Sequence, residues 1–230
     1  VIARLAQKVA VSVPESLKYF AEGQGVVTGY PLGDRITSWT RASGRAALGL
    51  DPDERVLLVF GGSRGARSIN RAVIANVGAL TELATIIHVS GTLDWPEVNA
   101  AHASMPAPVL ARYHAYPYLH EQMGAAMAAA DLVVCRSGAS VLGEFPHFGL
   151  PSILVPYPYA WRYQRVNAGW LEKRGAAVVL EDAALPDAIV GTVRRLMGDE
   201  AQLQEMAEAA RKLARPDGAT RAAQLLLGLG

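Results

Sequence analysis

The sequence predicts an α/β protein built on a Rossmann-like, doubly wound parallel sheet with helices on both faces. Three observations support this fold class. Short apolar runs alternate along the chain with longer segments of helical pattern. Glycine-containing turns follow several of the short runs and precede a helix. The 230 residues are enough for one large α/β domain with a piece of another.

Six runs are predicted as buried strands because each is short, apolar and bounded by turn-forming residues. They are Val56–Phe60, Thr85–Ser90, Val109–Tyr113, Leu132–Cys135, Ile153–Pro156 and Ala177–Leu180. The segments between them are predicted as helices: Arg67–Ala79, Gln122–Ala130, Ser140–Phe148, Gln164–Lys173, Asp187–Met197 and Ala201–Leu213. A Rossmann-like domain is therefore expected over residues 54–215.

The two ends of the chain differ from this pattern. Residues 1–30 are predicted as the remnant of a separate N-terminal domain, and residues 31–53 as a linker with a short helix. Residues 216–230 are expected to carry a final helix. The predicted elements outside the sheet are a helix at Val1–Lys8, a strand at Val9–Val13, a helix at Glu15–Ala21, a strand at Val26–Thr28 and a helix at Ala219–Leu227.

The composition excludes several classes of protein. Hydrophobic residues make up 51% of the chain, and 22 basic side chains nearly balance 21 acidic ones. This balance argues against disorder and against a nucleic-acid-binding surface, so an anionic ligand must be held locally. The single cysteine, Cys135, cannot form an internal disulfide and is expected to be a buried small residue in a reducing compartment.

No metal and no cofactor are expected, because no set of Cys and His residues has metal-ligand spacing. The five histidines are scattered, and each is interpreted as structural or exposed: His88, His102, His114, His120 and His147. No apolar run reaches the ~18–20 residues that a membrane-spanning helix needs. A cytoplasmic location is expected.

The strongest local signal is the run Gly61–Ala66, Gly-Gly-Ser-Arg-Gly-Ala, between a predicted strand and a predicted helix. Glycines permit positive φ angles, and the free N–H groups at a helix start can hold a phosphate. The loop therefore suits a pyrophosphate. It matches neither the P-loop nor the dinucleotide-binding fingerprint. A tight strand-to-helix turn without a ligand explains it equally well.

A second signal follows the predicted strand Leu132–Cys135. Ser137 is predicted to cap the next helix, and Gly138 and Ala139 leave room for a ligand at its positive end. Glu144, expected about a turn and a half into that helix, suits the two hydroxyls of a ribose. The alternative for Glu144 is a solvated surface residue. Arg136 suits a phosphate, or else an ion pair with Asp131 or Glu144.

Two further segments follow predicted strands at the same edge of the sheet. Residues 156–167 carry amide, basic and aromatic side chains, including Tyr163 and Gln164, that suit a sugar. Tyr116–Leu119 suits the wall of a flat base. The alternatives are an ordinary helix start and a turn that joins the core. Because open α/β sheets bind ligands at the carboxyl ends of their strands, all four segments are expected to converge.

At these residues the chain resembles the MurG family of lipid-acceptor glycosyltransferases, which have the two-domain GT-B fold. The likeness covers nearly the whole length, and the Arg-Ser-Gly-Ala motif with its downstream glutamate is its most specific part. The matching positions are Gly61–Ser63, Gly65–Arg67, Asn70, Pro117–Leu119, Met123, Ala130–Ala139, Glu144, Gly149–Pro151, Val155–Pro156, Gln164, Asn167–Ala168 and Glu172–Ala177.

The resemblance implies a hexosyltransferase of peptidoglycan precursor synthesis. It would transfer a sugar from a UDP-sugar donor, UDP-N-acetylglucosamine by this resemblance, to a lipid-linked acceptor, inverting the anomeric carbon without a metal. The protein would act in the cytoplasm, peripheral at the inner face of the plasma membrane. The UDP-sugar-binding residues implied are Gly62, Ser63, Arg64, Gly65, Tyr118, Leu119, Arg136, Ser137, Gly138, Ala139, Ser140, Val141, Glu144, Tyr163 and Gln164.

Several positions depart from the family pattern. The usual Gly-Asn-Pro segment with its arginine is Gly29–Gly33 here, which has tyrosine and glycine at those places. Arg64 and Tyr163 each stand where the family has glutamine, and Val141 stands where it has threonine. These changes affect the sugar end more than the nucleotide end. UDP is therefore a firmer expectation than N-acetylglucosamine.

The family's glycine-rich acceptor loop and candidate catalytic base do not occur in this sequence, which starts at Val1 rather than Met. The chain alone is therefore expected to bind donor without transferring it, and no catalytic residue is assigned. Three alternatives stay open: a UDP-sugar 2-epimerase-like enzyme, a non-catalytic nucleotide-sugar-binding subunit, and an interaction module that has lost its ligand.

Overall fold

The computed structural model describes residues 5–62, 65–159 and 163–228. The strands in these residues are β1 Val9–Val11, β2 Gly25–Val27, β3 Val56–Phe60, β4 Thr85–Val89, β5 Tyr113–Tyr116, β6 Leu132–Cys135, β7 Ser152–Leu154 and β8 Ala177–Val179. The α-helices are α1 Asp34–Thr37, α2 Arg41–Leu48, α3 Arg67–Ala75, α4 Val77–Thr81, α5 Trp95–Ala103, α6 Ala107–Leu110, α7 Met123–Ala129, α8 Val141–Phe148, α9 Tyr163–Glu172, α10 Leu185–Met197, α11 Glu200–Lys212 and α12 Gly218–Leu227.

The main sheet has six parallel strands in the order β5-β4-β3-β6-β7-β8. Within this sheet the first strand along the chain is β3, in the centre. The next two strands, β4 and β5, are added outward on one side of β3, and β6 is then added on its other side. This is the order of a doubly wound Rossmann-like sheet, and it confirms the predicted fold class. The direction of winding reverses between β3 and β6, so the loops that leave these two strands diverge and open a crevice.

Side chains of β3 alternate between two separate cores. Val56 and Leu58 pack into the core on one face of the sheet, which contains residues of α7, α8 and α9. Leu57 and Val59 pack into the core on the other face, with residues of α3 and α10. All four side chains are fully buried. Because both faces are covered, the strand is continuously apolar, as parallel strands usually are.

The predicted strand Val109–Tyr113 is wrong. Val109 lies in the short helix α6, and the strand is β5, which begins only at Tyr113. Pro108 stands in the first turn of α6, where its fixed φ favours helix and its missing N–H costs nothing. A short apolar run cannot be assigned to helix or strand by its period alone, and here the prolines decide.

The helix predicted over Arg67–Ala79 is broken at Asn76, which separates α3 from α4. The Asn76 side-chain amide donates to the carbonyl oxygens of Ala72 and Pro186, and so competes with the helical pattern. Helix α5 was missed by the sequence analysis. It exposes small and polar residues and buries Val98, so its apolar stripe is weak.

The N-terminal segment forms a separate two-stranded parallel sheet of β1 and β2. The segment predicted as the helix Glu15–Ala21 is a 3-10 helix over Pro14–Tyr19. The predicted helix Val1–Lys8 is wrong for residues 5–8, and Val1–Arg4 lie outside the described residues. Leu5 is 87% exposed, so a helix there would have no surface to pack against.

This segment packs on the helices that border the candidate site. A Cβ placed on Gly143 of α8 would lie 2.8 Å from the Tyr30 Cβ, which shows that Tyr30 lies directly against that helix. Glu15 accepts hydrogen bonds from the Trp170 indole at 2.7 Å and from Arg174. The N-terminal segment is therefore in contact with both α8 and α9.

The short helix expected between residues 31 and 53 is present as α2, and it packs closely against α7. A Cβ on Gly44 would lie 2.5 Å from the Ala125 carbonyl oxygen, so glycine is needed for this approach. The helix starts with a capping box in which Thr40 and Ser43 bond each other's backbone N–H groups.

Asp131, at the start of β6, ties α2 to the sheet. One carboxylate oxygen lies 2.7 Å from Arg41, and the other lies 3.1 Å from Arg45 and accepts the Val56 N–H at 2.8 Å. The Arg45 side chain is 3% exposed and also donates to three backbone carbonyls, those of Asp51, Pro52 and Glu54. Asp131 therefore balances a buried positive charge.

Replacement of Asp131 by alanine is expected to lower the free energy of unfolding by about 3–5 kcal/mol, because it leaves the Arg45 charge buried without its counterion. Urea denaturation of the chain measures this loss. Asp53→Ala is the matched control, since Asp53 is exposed on the same edge of the domain. A loss below about 1 kcal/mol for Asp131→Ala would contradict the assignment.

A second buried polar group lies under the other end of the sheet. His88 is fully buried, with Nδ1 2.7 Å from the Tyr113 hydroxyl and Nε2 2.9 Å from Asn70 Oδ1. Because an amide oxygen only accepts, His88 Nε2 carries the proton and Nδ1 accepts from Tyr113. Burial lowers the pKa of His88 to about 4 and raises the pKa of Tyr113. Both groups are neutral in the folded protein at pH 7.

The free energy of unfolding is expected to depend on pH through His88. In the unfolded chain the pKa of His88 returns to the ordinary value of 6.5. Between pH 6.5 and about 4 the unfolded chain therefore binds a proton at His88 that the folded protein does not bind. The contribution of neutral His88 to the free energy of unfolding is complete above pH 6.5 and falls by about 3 kcal/mol as the pH drops to about 4. The test is the free energy of unfolding of the wild type and of His88→Gln, measured as a function of pH across this range. The same pH dependence in both proteins would refute the prediction.

Candidate functional site

The candidate site lies at the carboxyl ends of β3 and β6, where the direction of winding reverses. Gly61 and Gly62 leave β3, and the loop 136–140 leaves β6. Two cavities open at this edge and share the glycine turn. The small cavity, about 160 Å³, is lined in part by Gly62, Tyr118, Leu119, Ser140 and Glu144. The large cavity, about 690 Å³, is lined in part by Gly61, Gly65, Arg67, Arg136, Tyr163 and Gln164.

The glycine turn requires its glycines for different reasons. A Cβ on Gly61 would lie 2.2 Å from the Ala66 nitrogen, and one on Gly65 would lie 2.3 Å from the Ser90 carbonyl oxygen. Gly65 also has φ +78°, and Gly62 has φ +89° with open space where its Cβ would be. The turn therefore brings bare backbone to the cavities and leads directly into α3. Ser63 and Arg64, predicted as ligand contacts, lie outside the described residues.

The loop after β6 differs from the prediction in its cap. Ser137 does not cap α8, because its hydroxyl donates to the Gln164 carbonyl oxygen at 2.8 Å, and its own carbonyl accepts from Asn167 at 3.0 Å. The N-cap position belongs to Ser140. Ser137 is fully buried and fastens this loop to α9.

The next residues of the loop border open space. A Cβ on Gly138 would meet no atom within 4 Å, and Ala139 is exposed. Val141, predicted as a ligand contact, is 2% exposed and belongs to the hydrophobic core. Only its backbone N–H remains suited to a ligand, because its side chain is directed into the core.

Glu144 lies in the first turn of α8, nearer the helix start than predicted, and lines the small cavity. It is partly buried, so the alternative of a solvated surface residue is wrong. Burial raises the pKa of its carboxyl group, while a hydrogen bond with Ser140 lowers it. The carboxylate has no ion-pair partner among the described residues. It is therefore able to accept hydrogen bonds from ligand hydroxyls.

Arg136 pairs with neither Asp131 nor Glu144, so both of these predicted partners are wrong. Its guanidinium lies 2.5 Å from the Asp182 carboxylate and donates to the Ser68 hydroxyl at 2.7 Å. It also lies 5.2 Å from the centre of the Tyr157 ring. The side chain crosses from the β6 loop to the start of α3 and to the residues after β8, a contact that only the packing of the strands creates. Its contact with a phosphate stays a prediction.

The segment after β5 forms the outer wall of the small cavity. The Tyr118 side chain is 43% exposed, whereas Leu119 is buried. The rings of Tyr118 and His120 are 4.7 Å apart, and His120 has an unusual positive φ of 32°. Tyr118 and Leu119 therefore line the small cavity, and their contact with a flat base stays a prediction.

The start of α9 lines the large cavity. Tyr163 is half exposed, and the Gln164 side-chain oxygen accepts the Tyr157 N–H at 2.9 Å. The rings of Tyr157 and Tyr159 lie 5.6 Å apart at the mouth of the cavity. Ala160–Arg162 lie outside the described residues. Four of the aromatic and amide side chains that the sequence suggested for a sugar therefore line one cavity: Tyr157, Tyr159, Tyr163 and Gln164.

The model of the glycosyltransferase family 28 C-terminal domain matches residues 56–222, well over half of the chain. The chain belongs to this glycosyltransferase family. The match covers the β3 glycine turn, the β6 loop and the start of α9, so all parts of the candidate site lie within the family domain.

The curated relatives agree with this family. A UDP-N-acetylglucosamine--N-acetylmuramyl-(pentapeptide) pyrophosphoryl-undecaprenol N-acetylglucosamine transferase of Roseiflexus sp. (strain RS-1) is 42% identical and aligns with 98% of this chain and 60% of its own length. The protein of the same name from Chlorobaculum parvum is 40% identical, over 99% of this chain and 62% of its own length. The chain thus spans about 60% of the length of these relatives.

Among solved structures, Acinetobacter baumannii MurG superposes with a TM-score of 0.71 at 24% identity, covering 99% of this chain and 62% of that one. This likeness shows the fold, the C-terminal Rossmann-like half of GT-B. Together with the curated relatives, it confirms the resemblance to the MurG family that the motifs indicated.

Four polar residues of the large cavity were not predicted as site residues. Arg67 and Ser68 follow the glycine motif directly, so their place at the start of a helix was a usable signal. Asp94 and Asp182 follow β4 and β8, far from any motif, and they reach the cavity only through the order of the strands. The prediction that Cys135 is a buried small residue is confirmed, because it is fully buried, and burial raises the pKa of its thiol.

Among residues 5–62, 65–159 and 163–228, no group of three or more His, Cys, Asp or Glu side chains could hold a metal ion. In the same part of the chain, no helix is long and apolar enough to cross a membrane.

Replacement of Glu144 by glutamine is expected to stabilise the unliganded chain at neutral pH, by about 2 °C in Tm. Since the folded-state pKa lies above the ordinary value of 4.5, the stability that depends on Glu144 is complete below pH 4.5. It is lost as the pH rises through the raised pKa, and glutamine avoids this loss. Thermal melts from pH 4 to 8 measure the difference.

Glu205→Gln is the matched control for these melts, because Glu205 is exposed on α11 and should show no gain at any pH. If the Tm difference between the wild type and Glu144→Gln does not change with pH, the pKa of Glu144 is not raised by burial in the folded chain.

Proposed function

We propose that this chain is the donor-binding part of a transferase that moves N-acetylglucosamine from UDP-N-acetylglucosamine to a lipid-linked N-acetylmuramyl-pentapeptide. The two relatives that carry this activity in their name support the reaction, at 40–42% identity over nearly the whole chain. Such an enzyme acts in peptidoglycan precursor synthesis. We further propose that it works on the cytoplasmic side and is peripheral at the inner face of the plasma membrane, where its acceptor is anchored.

The observation that carries the proposal is the pair of cavities on the two sides of one glycine turn. In the proposed complex the uracil lies against Tyr118 and Leu119 in the small cavity, and Glu144 accepts hydrogen bonds from the ribose hydroxyls. The diphosphate crosses the glycine turn, and the sugar lies in the large cavity near Gln164. The proposed placement follows the order of groups in a UDP-sugar: base, ribose, diphosphate and sugar.

The electrostatics of the turn suit a departing diphosphate. The helices α3 and α8 both start at this edge, and their first backbone N–H groups have no partner within the helix. In the proposed reaction the acceptor hydroxyl gives its proton to a general base and attacks the anomeric carbon. The bond from that carbon to the diphosphate oxygen breaks, and the configuration inverts. Donors already in place stabilise the negative charge that develops on UDP, without a metal. No residue of this chain is proposed as the catalytic base.

The sugar end of the site is the least typical of the family. Tyr163 offers an aromatic face and a hydroxyl where a glutamine is usual, and Tyr157 and Tyr159 lie close by. Aromatic faces pack against the C–H surfaces of hexoses, so this end still suits a sugar. We propose UDP as the fixed part of the donor and N-acetylglucosamine as its preferred sugar.

The division of the chain follows from the same proposal. Residues 54–215 form the donor domain, residues 31–53 lead into it, and residues 1–30 belong with the acceptor-binding part of the enzyme. Residues 216–230 belong to a C-terminal helical segment, and its helix α12 is proposed to pack towards that part. The contacts of Gly218 with the Tyr30 carbonyl oxygen support this grouping, because a Cβ on Gly218 would lie 2.8 Å from that atom.

Calorimetric titration of the chain with UDP, UDP-N-acetylglucosamine, UDP-glucose, dTDP and GDP tests the proposal. We expect saturable binding confined to the uridine compounds. Glu144→Ala should weaken it at least about tenfold, because hydrogen bonds to a charged group are lost. Glu205→Ala, which removes an exposed carboxylate, should bind as the wild type does. Binding of none of these nucleotides by the wild-type chain would refute the proposed donor site.

A further inference from the structure

Arg67 is the first residue of α3 and follows the glycine turn directly. Its side chain is 64% exposed and lines the large cavity. Its Nε donates to Asp94 Oδ1 at 2.9 Å. The Asp94 side chain is only 6% exposed, so an exposed guanidinium is held by a buried carboxylate.

The position of Asp94 is fixed by a buried network. Its other oxygen accepts from the Asn70 side-chain amide at 3.0 Å, and the same amide donates to the Ser90 carbonyl oxygen at 2.9 Å. Asn70 Oδ1 in turn accepts from His88 Nε2. The Ser90 carbonyl is also the group against which Gly65 packs. One set of buried hydrogen bonds therefore fixes both the glycine turn and the Arg67 guanidinium.

The two arginines of the large cavity, Arg67 and Arg136, differ in how many guanidinium nitrogens already make hydrogen bonds. Both terminal nitrogens of Arg136 are engaged, with Asp182, Ser68 and the Val155 carbonyl oxygen. Arg67 is bound only through Nε, and its two terminal nitrogens make no hydrogen bond with any residue in the described ranges. That free edge matches the spacing of two phosphate oxygens.

We propose that Arg67 is a diphosphate-binding residue of the donor site and that Asp94 and Asn70 are positioning residues that aim it. The inference rests on the proposed function, because it assumes that a nucleoside diphosphate occupies the crevice. The ion pair with Asp94 restricts the side chain before the ligand arrives, so less conformational entropy is lost on binding. The terminal N–H groups of the Arg67 guanidinium add charged hydrogen-bond donors to the backbone N–H groups of the turn.

The experiment compares Arg67→Gln with Arg71→Gln in titrations with uridine, UMP and UDP at two salt concentrations. Arg71 is the matched control, because it lies one turn further along α3, is 61% exposed and pairs through Nε with Glu97 at 2.9 Å. Arg67→Gln is expected to weaken UDP binding about tenfold, to leave uridine binding unchanged and to reduce the salt dependence of UDP binding. Arg71→Gln should match the wild type in all three.

The alternative outcomes separate this inference from the proposed function. If Arg67→Gln binds UDP as tightly as the wild type while Glu144→Ala does not, the inference is overturned and the donor site stands. Equal weakening of uridine and UDP by Arg67→Gln also overturns it, because Arg67 would then only support the fold. If the wild-type chain binds no uridine compound, both fail. Arg67→Lys should restore part of the UDP affinity and of its salt dependence, since it returns the charge without the planar edge.

Discussion

The reversal of winding between β3 and β6 is the constraint on which the rest of the structure depends. The two strands are hydrogen-bonded neighbours, yet the connections that follow them run to opposite sides of the sheet. Their carboxyl ends therefore cannot be covered by the next helices, and backbone from two loops is left facing a crevice. The positions of the Gly62 turn and of the start of α8 both follow from this one feature of strand order.

Buried polar groups fix the two ends of the sheet in different ways. At the amino ends, Asp131 gathers Arg41, Arg45 and a backbone N–H of β3, which holds α2 against the domain. At the carboxyl ends, Asn70 joins neutral His88 to Asp94 and to the backbone that supports the glycine turn. The Arg45 Nε is the one buried side-chain nitrogen or oxygen without a partner among the described residues, so movement of either network would leave further buried polar atoms unpaired. This rigidity is useful in a site that must present N–H groups in fixed directions.

The acidic side chains of the two cavities differ in whether they are paired with an arginine. Glu144 stands in the small cavity without a counterion among the described residues, whereas the acidic groups of the large cavity, Asp94 and Asp182, each hold an arginine. A carboxylate free of arginine suits neutral hydroxyls, and an arginine held by a carboxylate suits an anion. This separation of charges agrees with the proposed complex, in which the neutral ribose lies in the small cavity and the charged diphosphate crosses the glycine turn.

The sequence by itself determined the fold class, five of the six main strands and the two loops that define the crevice. It did so because buried parallel strands are short apolar runs and because glycine at Gly62 and Gly65 reflects backbone geometry that few other residues allow. It misplaced β5, where prolines around Val109 turn an apolar run into a helix, and it assigned the N-cap position of α8 to Ser137. That position is Ser140, whose side chain makes no capping hydrogen bond, so the local signal for a cap was misleading.

Only the tertiary structure decided which polar side chains meet. Asp94 and Asp182 follow strands on opposite sides of β3, and nothing in their local sequence marks them as neighbours of Arg67 and Arg136. Their ion pairs depend on strand order and on the distance between helix starts, which are set by packing of the whole sheet. A sequence pattern indicates the local structure of one segment, whereas an ion pair between residues of distant segments depends on how the whole sheet is assembled.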